Sequence, residues 1–214
     1  MKSSLSLKIV ESNQEIQTAI LKAMLPQIDS FMGGAMDRIK NTLPPLISEA
    51  ILSQPEYMSL INGSLKLELG IPDPEQRVQE LINIWINNIQ ISYQKPKIVS
   101  AKIKSSISIK AIKANFSDIL GNDVAEVTDF NTGSVIPWLE WLLLEGTTTL
   151  VKDYEVAFGP NTRSRTGYAI MVDSDSSWSV PSQYAGTLSD NWITRAISNY
   201  KDDIDKLLQK ALMT

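Results

Sequence analysis

The groups in this chain that could carry out chemistry are its carboxylates, because its 214 residues include no histidine and no cysteine. Glu140 and Glu145 could act as a pair, as two carboxylates do in glycoside hydrolysis, where one is an acid and the other a base or nucleophile. Nothing in the neighbouring sequence marks a substrate cleft, and such pairs arise by chance. We therefore predict no catalytic residues.

Two groups of aspartates could in principle bind a hard cation. They are Asp173, Asp175 and Asp190, and Asp202, Asp203 and Asp205. Neither group has the spacing of a calcium loop, with its glycine and its terminal glutamate. The second group lies on a predicted helix, where its members do not converge on one face. We interpret both groups as solvated surface and predict no metal site.

The composition argues against several other common chemistries. Without histidine the chain lacks the usual general base near neutral pH and cannot form a Ser-His-Asp triad. The common zinc sites need cysteine or histidine, and disulfides need cysteine. The glycines form neither a GxGxxG nor a GxxxxGK[ST] phosphate-binding pattern. The sequence therefore predicts a protein that is not an enzyme and holds no cofactor.

The chain has the composition of an ordinary globular protein, with 43% hydrophobic and 21% charged residues. Its net charge of −4 does not indicate a general affinity for nucleic acid. No stretch approaches the ~20 apolar residues of a membrane span, and the N-terminus lacks the apolar run of a signal peptide. We expect a single soluble domain, residues 1–214, made in the cytoplasm and without a membrane partner.

The first quarter of the chain predicts helices. Ser12 and Glu15 fit a capping box that opens the first helix. Pro26 is expected to end or kink this helix, because proline lacks the amide hydrogen that a helix interior uses. A further helix is expected to begin with Pro44 and Pro45 in its first turn.

The middle of the chain combines segments with the two-residue period of a strand and a segment with the period of a helix. Residues 65–69 alternate strictly and predict a strand, and Asp73–Pro74 predicts the start of a helix that runs to about Ile91. Residues 99–111 give the clearest alternation and predict a strand of ~40 Å at ~3.3 Å per residue. Because that exceeds the usual strand length, part of it is expected to project as one arm of a hairpin or edge ribbon. We interpret 65–116 as an insertion or extended arm.

The C-terminal half predicts strands between two apolar segments. Ile136–Leu144 fits a buried strand or a short helix, and its proline favours the helix. Asp153–Phe158 and Tyr168–Val172 predict core strands, and an amphipathic helix capped by Ser189 or Asp190 follows. The predicted fold is α+β, with a small mixed or antiparallel sheet packed by helices.

Several residues are candidates for an interface between molecules. Arg163 and Arg165 could pair with acids of a neighbouring subunit or face DNA in a channel, or they could belong to a solvated turn. Trp178 lies among polar neighbours and could anchor an interface or pack in the core. Ile107 and Ile109 belong to the apolar side of the long strand and are further candidates.

Lysines follow the wet side of the same strand. Lys102, Lys104 and Lys110 lie on it, and Lys113 lies beside it. They could line a lumen. Lysine on an exposed strand face is also a common protection against unwanted edge pairing, so both interpretations stay open.

The C-terminal third carries a series of short motifs in a fixed order. They are Glu145-Gly146-Thr147, Gly159-Pro160, Arg165-Thr166-Gly167, Trp178-Ser179-Val180-Pro181, Ala185-Gly186-Thr187 and Asp190-Asn191-Trp192-Ile193-Thr194-Arg195-Ala196-Ile197. Gln54-Pro55-Glu56-Tyr57 and Leu67-Glu68-Leu69-Gly70 precede them. This order resembles the tail-completion and neck proteins of tailed bacteriophages, over about half of the chain.

The resemblance implies a structural virion protein whose C-terminal helix closes an α+β core. Copies would assemble head-to-tail into a cyclic ring, a hexamer or a dodecamer, through heterologous interfaces. The ring would join the head to the tail or terminate the tail tube, in contact with neighbouring neck, connector and tail-tube proteins. Genomic DNA would pass through the lumen without sequence-specific contacts. The protein would be assembled in the host cytoplasm and located in the neck or tail of the virion.

Two other classes of function stay open from the sequence. The chain could be a soluble binding module or an assembly factor that is absent from the finished particle. It could also be a hydrolase that uses only carboxylates, although the residues offer less support for this class.

Overall fold

The computed structural model describes residues 10–111, 115–129 and 133–213. The helices within these ranges are α1 Asn13–Leu52, α2 Pro55–Asn62, α3 Ser64–Glu68, α4 Pro74–Asn87, α5 Trp138–Leu144, α6 Trp192–Asn199 and α7 Lys201–Met213. The strands are β1 Gln90–Val99, β2 Lys102–Lys110, β3 Val127–Thr128, β4 Val135–Ile136, β5 Val151–Phe158 and β6 Ala169–Trp178, with a 3₁₀ turn at Asp123–Ala125.

This arrangement confirms the α+β fold class. The strands do not form one sheet, however: in the described ranges they pair as three separate antiparallel ribbons, β1 with β2, β3 with β4 and β5 with β6. Helices build the core, and two of the three ribbons lie at the surface of the helical body.

Helix α1 is a single helix of 40 residues, about 60 Å long. Its capping box is present, with the Ser12 hydroxyl accepting from the Glu15 amide and the Glu15 carboxylate accepting from the Ser12 amide. The predicted helix end at Pro26 and the predicted new helix at Pro44 and Pro45 are wrong, because all three prolines lie inside α1.

Packing explains why the helix continues through the pair Pro44–Pro45. The buried residues of α1 keep helical spacing across that pair, and they are Ala35, Ile39, Leu43, Ile47, Ala50 and Ile51. Burying such side chains contributes about 1.5–3 kcal/mol for each large one, which offsets the cost of the hydrogen bonds that the prolines cannot make.

The segment 65–69, predicted as a strand, is instead part of the short helix α3 and its C-cap. Leucines at 65, 67 and 69 alternate as in a strand, but Leu65 and Leu69 are also four residues apart and so lie on one face of a helix. Both are fully buried, which shows that this helical face packs into the core. Helix α4 begins at Pro74 as predicted but ends at Asn87. Within the range 65–116, α3 and α4 belong to the core, and the ribbon β1–β2 is the part that extends from it.

The core is organised by three fully buried tryptophans, Trp85, Trp138 and Trp192. The indole N–H of Trp192 donates to the Ile51 carbonyl oxygen at 3.1 Å, and that of Trp138 donates to the Val124 carbonyl oxygen at 3.0 Å. The rings of Trp85 and Trp192 meet edge to face with centroids 6.0 Å apart. Trp192 therefore joins the end of α1 to α4 and α6.

Residues 102–110 of the strand predicted over 99–111 form β2, which pairs with β1 and so confirms the predicted hairpin arm. The chain reverses at Ser100 and Ala101, whose φ angles of 50° and 57° are those of a tight two-residue hairpin turn. One face of the ribbon is apolar, with the cross-strand pairs Ile91–Ile109, Tyr93–Ile107 and Ile98–Ile103. The other face is polar and exposed.

The strands β5 and β6 lie where the sequence predicted strands, but only Ala169 and Trp178 among their residues are buried, so these strands lie at the edge of the core and not inside it. The C-terminal helix is capped by Asn191, not by Ser189 or Asp190: the Asn191 side-chain oxygen accepts from the amides of Ile193 and Thr194 at 3.1 Å. Helices α6 and α7 then divide this C-terminal segment at Tyr200.

We expect Trp192→Ala to lower the free energy of unfolding by about 3–5 kcal/mol, because it empties a fully buried site and removes the hydrogen bond to Ile51. Trp192→Phe should cost less, since it keeps most of the volume. Leu188→Ala, at a side chain that is 57% exposed, should change stability by less than about 0.5 kcal/mol. Urea denaturation measures all three, and equal losses at positions 188 and 192 would contradict this description of the core.

Candidate assembly surface

The N-terminal half of α1 carries large apolar side chains that the described residues leave partly exposed. The first buried residue of α1 is Ala35, about 22 residues after the helix begins. Before it, Ile16, Ile20, Met24 and Phe31 are between 38% and 54% exposed. Spacings of four, four and seven residues place them on one side of the helix. We call these four residues the arm stripe.

The ribbon β1–β2 runs beside this half of α1. Helix α1 contacts both strands, and the Tyr93 hydroxyl donates a hydrogen bond to the Asp29 carboxylate. Partial desolvation and this hydrogen bond raise the pKa of Tyr93 above its ordinary value, so the hydroxyl keeps its proton and remains the donor. We call residues 13–34 and 90–110 together the arm.

The predicted interface residues of β2 divide between the two faces of the ribbon. Lys102 and Lys104 are exposed on the polar face. Ile107 and Ile109 are half-buried on the apolar face and pack against the core. Lys113 lies outside the described residues.

Of the two arginines in the loop between β5 and β6, one is held within the chain and the other is exposed. Arg165 is held inside the chain, donating to the Asp129 carboxylate at 2.9 Å and to the Gly70 carbonyl at 3.1 Å. A Cβ at Gly70, where φ is +63°, would lie 2.6 Å from the Arg165 guanidinium, so this contact also requires glycine there. Arg165 is therefore committed to contacts within the chain, and its role at an interface stays a prediction. Arg163 is exposed.

Trp178 packs within this chain, because its side chain is only 8% exposed, which agrees with the core interpretation of this residue. Its indole N–H donates to the Glu68 carboxylate at 3.1 Å, and its ring packs on Trp141 with centroids 6.0 Å apart. The polar residues around it in sequence belong to the exposed part of β6. The polarity of these neighbours does not indicate the position of Trp178, because the last residue of β6 packs into the core.

The structure brings together two of the motifs on which the resemblance rests. Glu56, 1% exposed, accepts from the guanidinium of Arg195 at 2.6 Å and 3.2 Å. Arg195 also pairs with Asp190 at 2.9 Å. Burial alone would lower the pKa of Arg195, but the hydrogen bonds and charges of Glu56 and Asp190 outweigh it and raise the pKa. One buried oxygen of Glu56, Oε2, has no partner among the described residues.

This Glu56–Arg195 contact was not predicted, although both residues lie in quoted motifs. The two residues lie 139 positions apart, an acid at the start of one helix and an arginine on another. No pattern within a single sequence connects two positions this distant. Neighbouring Gln54 strengthens the junction by accepting from the Asn199 side-chain amide at 3.1 Å. The motifs therefore fasten α2 to α6, which is a structural task.

The described residues offer little that resembles a reaction centre. A groove of about 1060 Å³ is lined by residues such as Asn88, Lys110, Phe116 and Ile197, and neither Glu140 nor Glu145 borders it. The same part of the chain contains no group of three or more acidic side chains placed to hold a metal ion. Among its helices, none is both long and apolar enough to cross a membrane.

No family model matches this chain, and neither a curated protein nor a solved structure matches it. The arm stripe, the polar face of the ribbon and the exposed part of β5–β6 are therefore the surfaces from which its function has to be inferred.

We expect Arg195→Met to lower the free energy of unfolding by about 3 kcal/mol, because it leaves the buried Glu56 carboxylate without its cation. The double variant Glu56→Met/Arg195→Met should recover part of this loss, since no buried charge is then unpaired. Lys201→Ala, which removes an exposed pair with Asp205, should leave the stability close to that of the unmodified protein. Chemical denaturation at neutral pH measures the set, and a double variant less stable than Arg195→Met would contradict the interpretation.

Proposed function

We propose that this chain is a structural subunit of a tailed-phage virion that assembles into a ring in the neck, where it joins the head to the tail or terminates the tail tube. The observation that carries the proposal is the arm stripe, a row of large apolar side chains exposed on a helix that extends beyond the core. The ordered motifs of the C-terminal third resemble those of tail-completion and neck proteins, and this resemblance supports the proposal that the assembly belongs to a phage neck.

The size of the arm stripe suits a contact between subunits. From Ile16 to Phe31 it spans about 22 Å of helix at 1.5 Å per residue. Monomeric proteins seldom leave a contiguous apolar patch of this kind open, and such patches commonly mark protein interaction sites. Covering four side chains of this size would contribute several kcal/mol to association, at about 1.5–3 kcal/mol for each fully buried one.

The position of the arm also favours a ring. The arm lies at one end of α1, whereas the core lies around the other end of that helix, so it can reach a surface different from itself on the next copy. Contacts between unlike surfaces are heterologous, and they close into rings when the rotation per subunit is right. The same geometry would place neighbouring neck and tail-tube proteins above and below the ring, and DNA in its lumen.

We expect the unmodified protein to form oligomers at micromolar concentration and Ile20→Glu/Met24→Glu to be monomeric. Two buried charges in the contact should raise its dissociation constant at least roughly 100-fold, equivalent to about 3 kcal/mol. Met58→Glu, at a residue that is 55% exposed on α2, is the matched control and should assemble normally. Sedimentation velocity and native mass spectrometry measure assembly, and circular dichroism verifies folding.

The location is tested separately, by mass spectrometry of purified virions and by gold labelling of an epitope-tagged copy. The proposal requires the chain in finished particles, at the junction of head and tail. A protein that is monomeric at every concentration, or one that assembles but is absent from particles, would refute it; the second result would identify an assembly factor.

A further inference from the structure

The ribbon β1–β2 has a charge that contrasts with the rest of the chain. It contains five of the twenty cationic residues and none of the 24 acidic ones, so the remainder has a net charge of −9. All five lysines of the ribbon are exposed, and they are Lys95, Lys97, Lys102, Lys104 and Lys110. We call this the basic ribbon.

The register of the basic ribbon places like charges together. Lys97 lies directly opposite Lys104, and Lys102 follows two pairs further toward the turn, on the same face. Like charges in directly opposite positions destabilise an antiparallel pair. None of the five lysines forms an ion pair with any other described residue. An acidic partner would therefore relieve repulsion within the ribbon as well as add attraction.

The same chain presents a surface of opposite charge on β5–β6. Asp153, Glu155, Asp173 and Asp175 are exposed around the bulge where the register shifts between Lys152 and Tyr154. Lys152 is the one cation on these two strands, which leaves them with a net charge of −3. We call this the acidic ribbon.

The acidic ribbon also carries features of a protein contact beyond its charge. Tyr154, Phe158 and Tyr168 are 39%, 56% and 49% exposed on it or on its connecting loop. Exposed aromatic side chains are enriched at protein interfaces. Its carboxylates are not used in ion pairs within the described part of the chain: Glu155 accepts only from the hydroxyl of Ser176, at 3.1 Å.

No ion pair joins the two ribbons within the described residues of one molecule. Each copy thus has one free basic ribbon and one free acidic ribbon of similar length, which is what a head-to-tail contact needs. We propose that the basic ribbon of one copy docks on the acidic ribbon of the next copy. This rests on the ring assembly proposed above and names the pair of surfaces that sets its direction.

Nucleic acid is the other polyanion that a basic ribbon could take. Two observations favour a second copy: the complementary acidic surface is supplied by the chain itself, and a remainder of net charge −9 would repel a phosphate backbone. Long-range attraction between the two ribbons would also speed association and orient the encounter.

The test exchanges the charges of the two surfaces. We expect Lys97→Glu/Lys104→Glu alone, and Glu155→Lys/Asp175→Lys alone, to weaken self-association at least tenfold. Mixing the two variants should restore oligomers in which they alternate, because every contact then joins opposite charges again. A single chain carrying all four substitutions should also assemble. Lys201→Glu/Lys206→Glu has the same change of net charge as the first variant and should behave as the unmodified protein does.

Native mass spectrometry identifies the mixed oligomers by mass, and sedimentation at increasing sodium chloride should show weakening, since salt screens exposed charges. Failure of the mixture and of the four-substitution chain to assemble overturns the inference. So does a Lys97→Glu/Lys104→Glu variant that assembles normally, and if that variant has lost binding to a 30-base-pair duplex of random sequence, the ribbon contacts DNA instead.

These outcomes separate the inference from the proposed function. Charge exchange that restores assembly of a protein absent from virions would leave the ribbon contact standing and remove the neck function. A protein found in virions whose oligomers depend on the arm stripe but do not respond to charge exchange would remove the ribbon contact alone. A protein that is monomeric under all conditions would remove both.

Discussion

The junction of α1, α2 and α6 is the constraint on which the rest of this structure depends. Trp192 occupies its centre, with its N–H on the Ile51 carbonyl and its ring against Trp85. Glu56 and Arg195 close the side of the junction nearer to solvent. Because one half of α1 is fixed here among buried residues, the other half can extend from the core without its own partners, and so can the ribbon beside it.

This division separates two kinds of sequence in one chain. Around the junction, apolar residues recur at helical spacing and end in a tight tryptophan cluster, which is the pattern of a stable core. Along the arm, apolar residues are as frequent but remain half-exposed, and the adjoining ribbon has cations without anions. Residues that would be unfavourable on an isolated molecule are understandable if another molecule covers them.

Local signals in the sequence predicted elements better than they predicted how those elements pack. The capping box at Ser12, the helix start at Pro74 and the helix at Trp138–Leu144 were predictable because each depends on a few neighbouring residues. The turn at Ser100 and Ala101 was not, since neither residue is the glycine or asparagine that usually adopts positive φ. Leu65 and Leu69 fit both a strand and a helix, and only burial distinguishes the two.

The candidate surfaces show the same limit. Lysines on the wet face of β2 were predictable from alternation, whereas the burial of Trp178 depends on Trp141 and Glu68, which approach it only in the folded chain. The arm stripe escaped prediction because Ile16 and Ile20 have the periodicity of a core helix. Periodicity identifies a face but does not say whether the face is covered within the molecule or by another one.

Pro26 gives the arm a mechanical property. Because proline has no amide hydrogen, the carbonyl oxygen of Lys22 lacks its partner inside the helix, and the backbone there resists bending less than elsewhere in α1. The proline lies between the arm stripe residues Met24 and Phe31, outside the tightly packed region that begins at Ala35. A chain built this way can change the tilt of the N-terminal part of α1 while the core around its C-terminal part stays rigid.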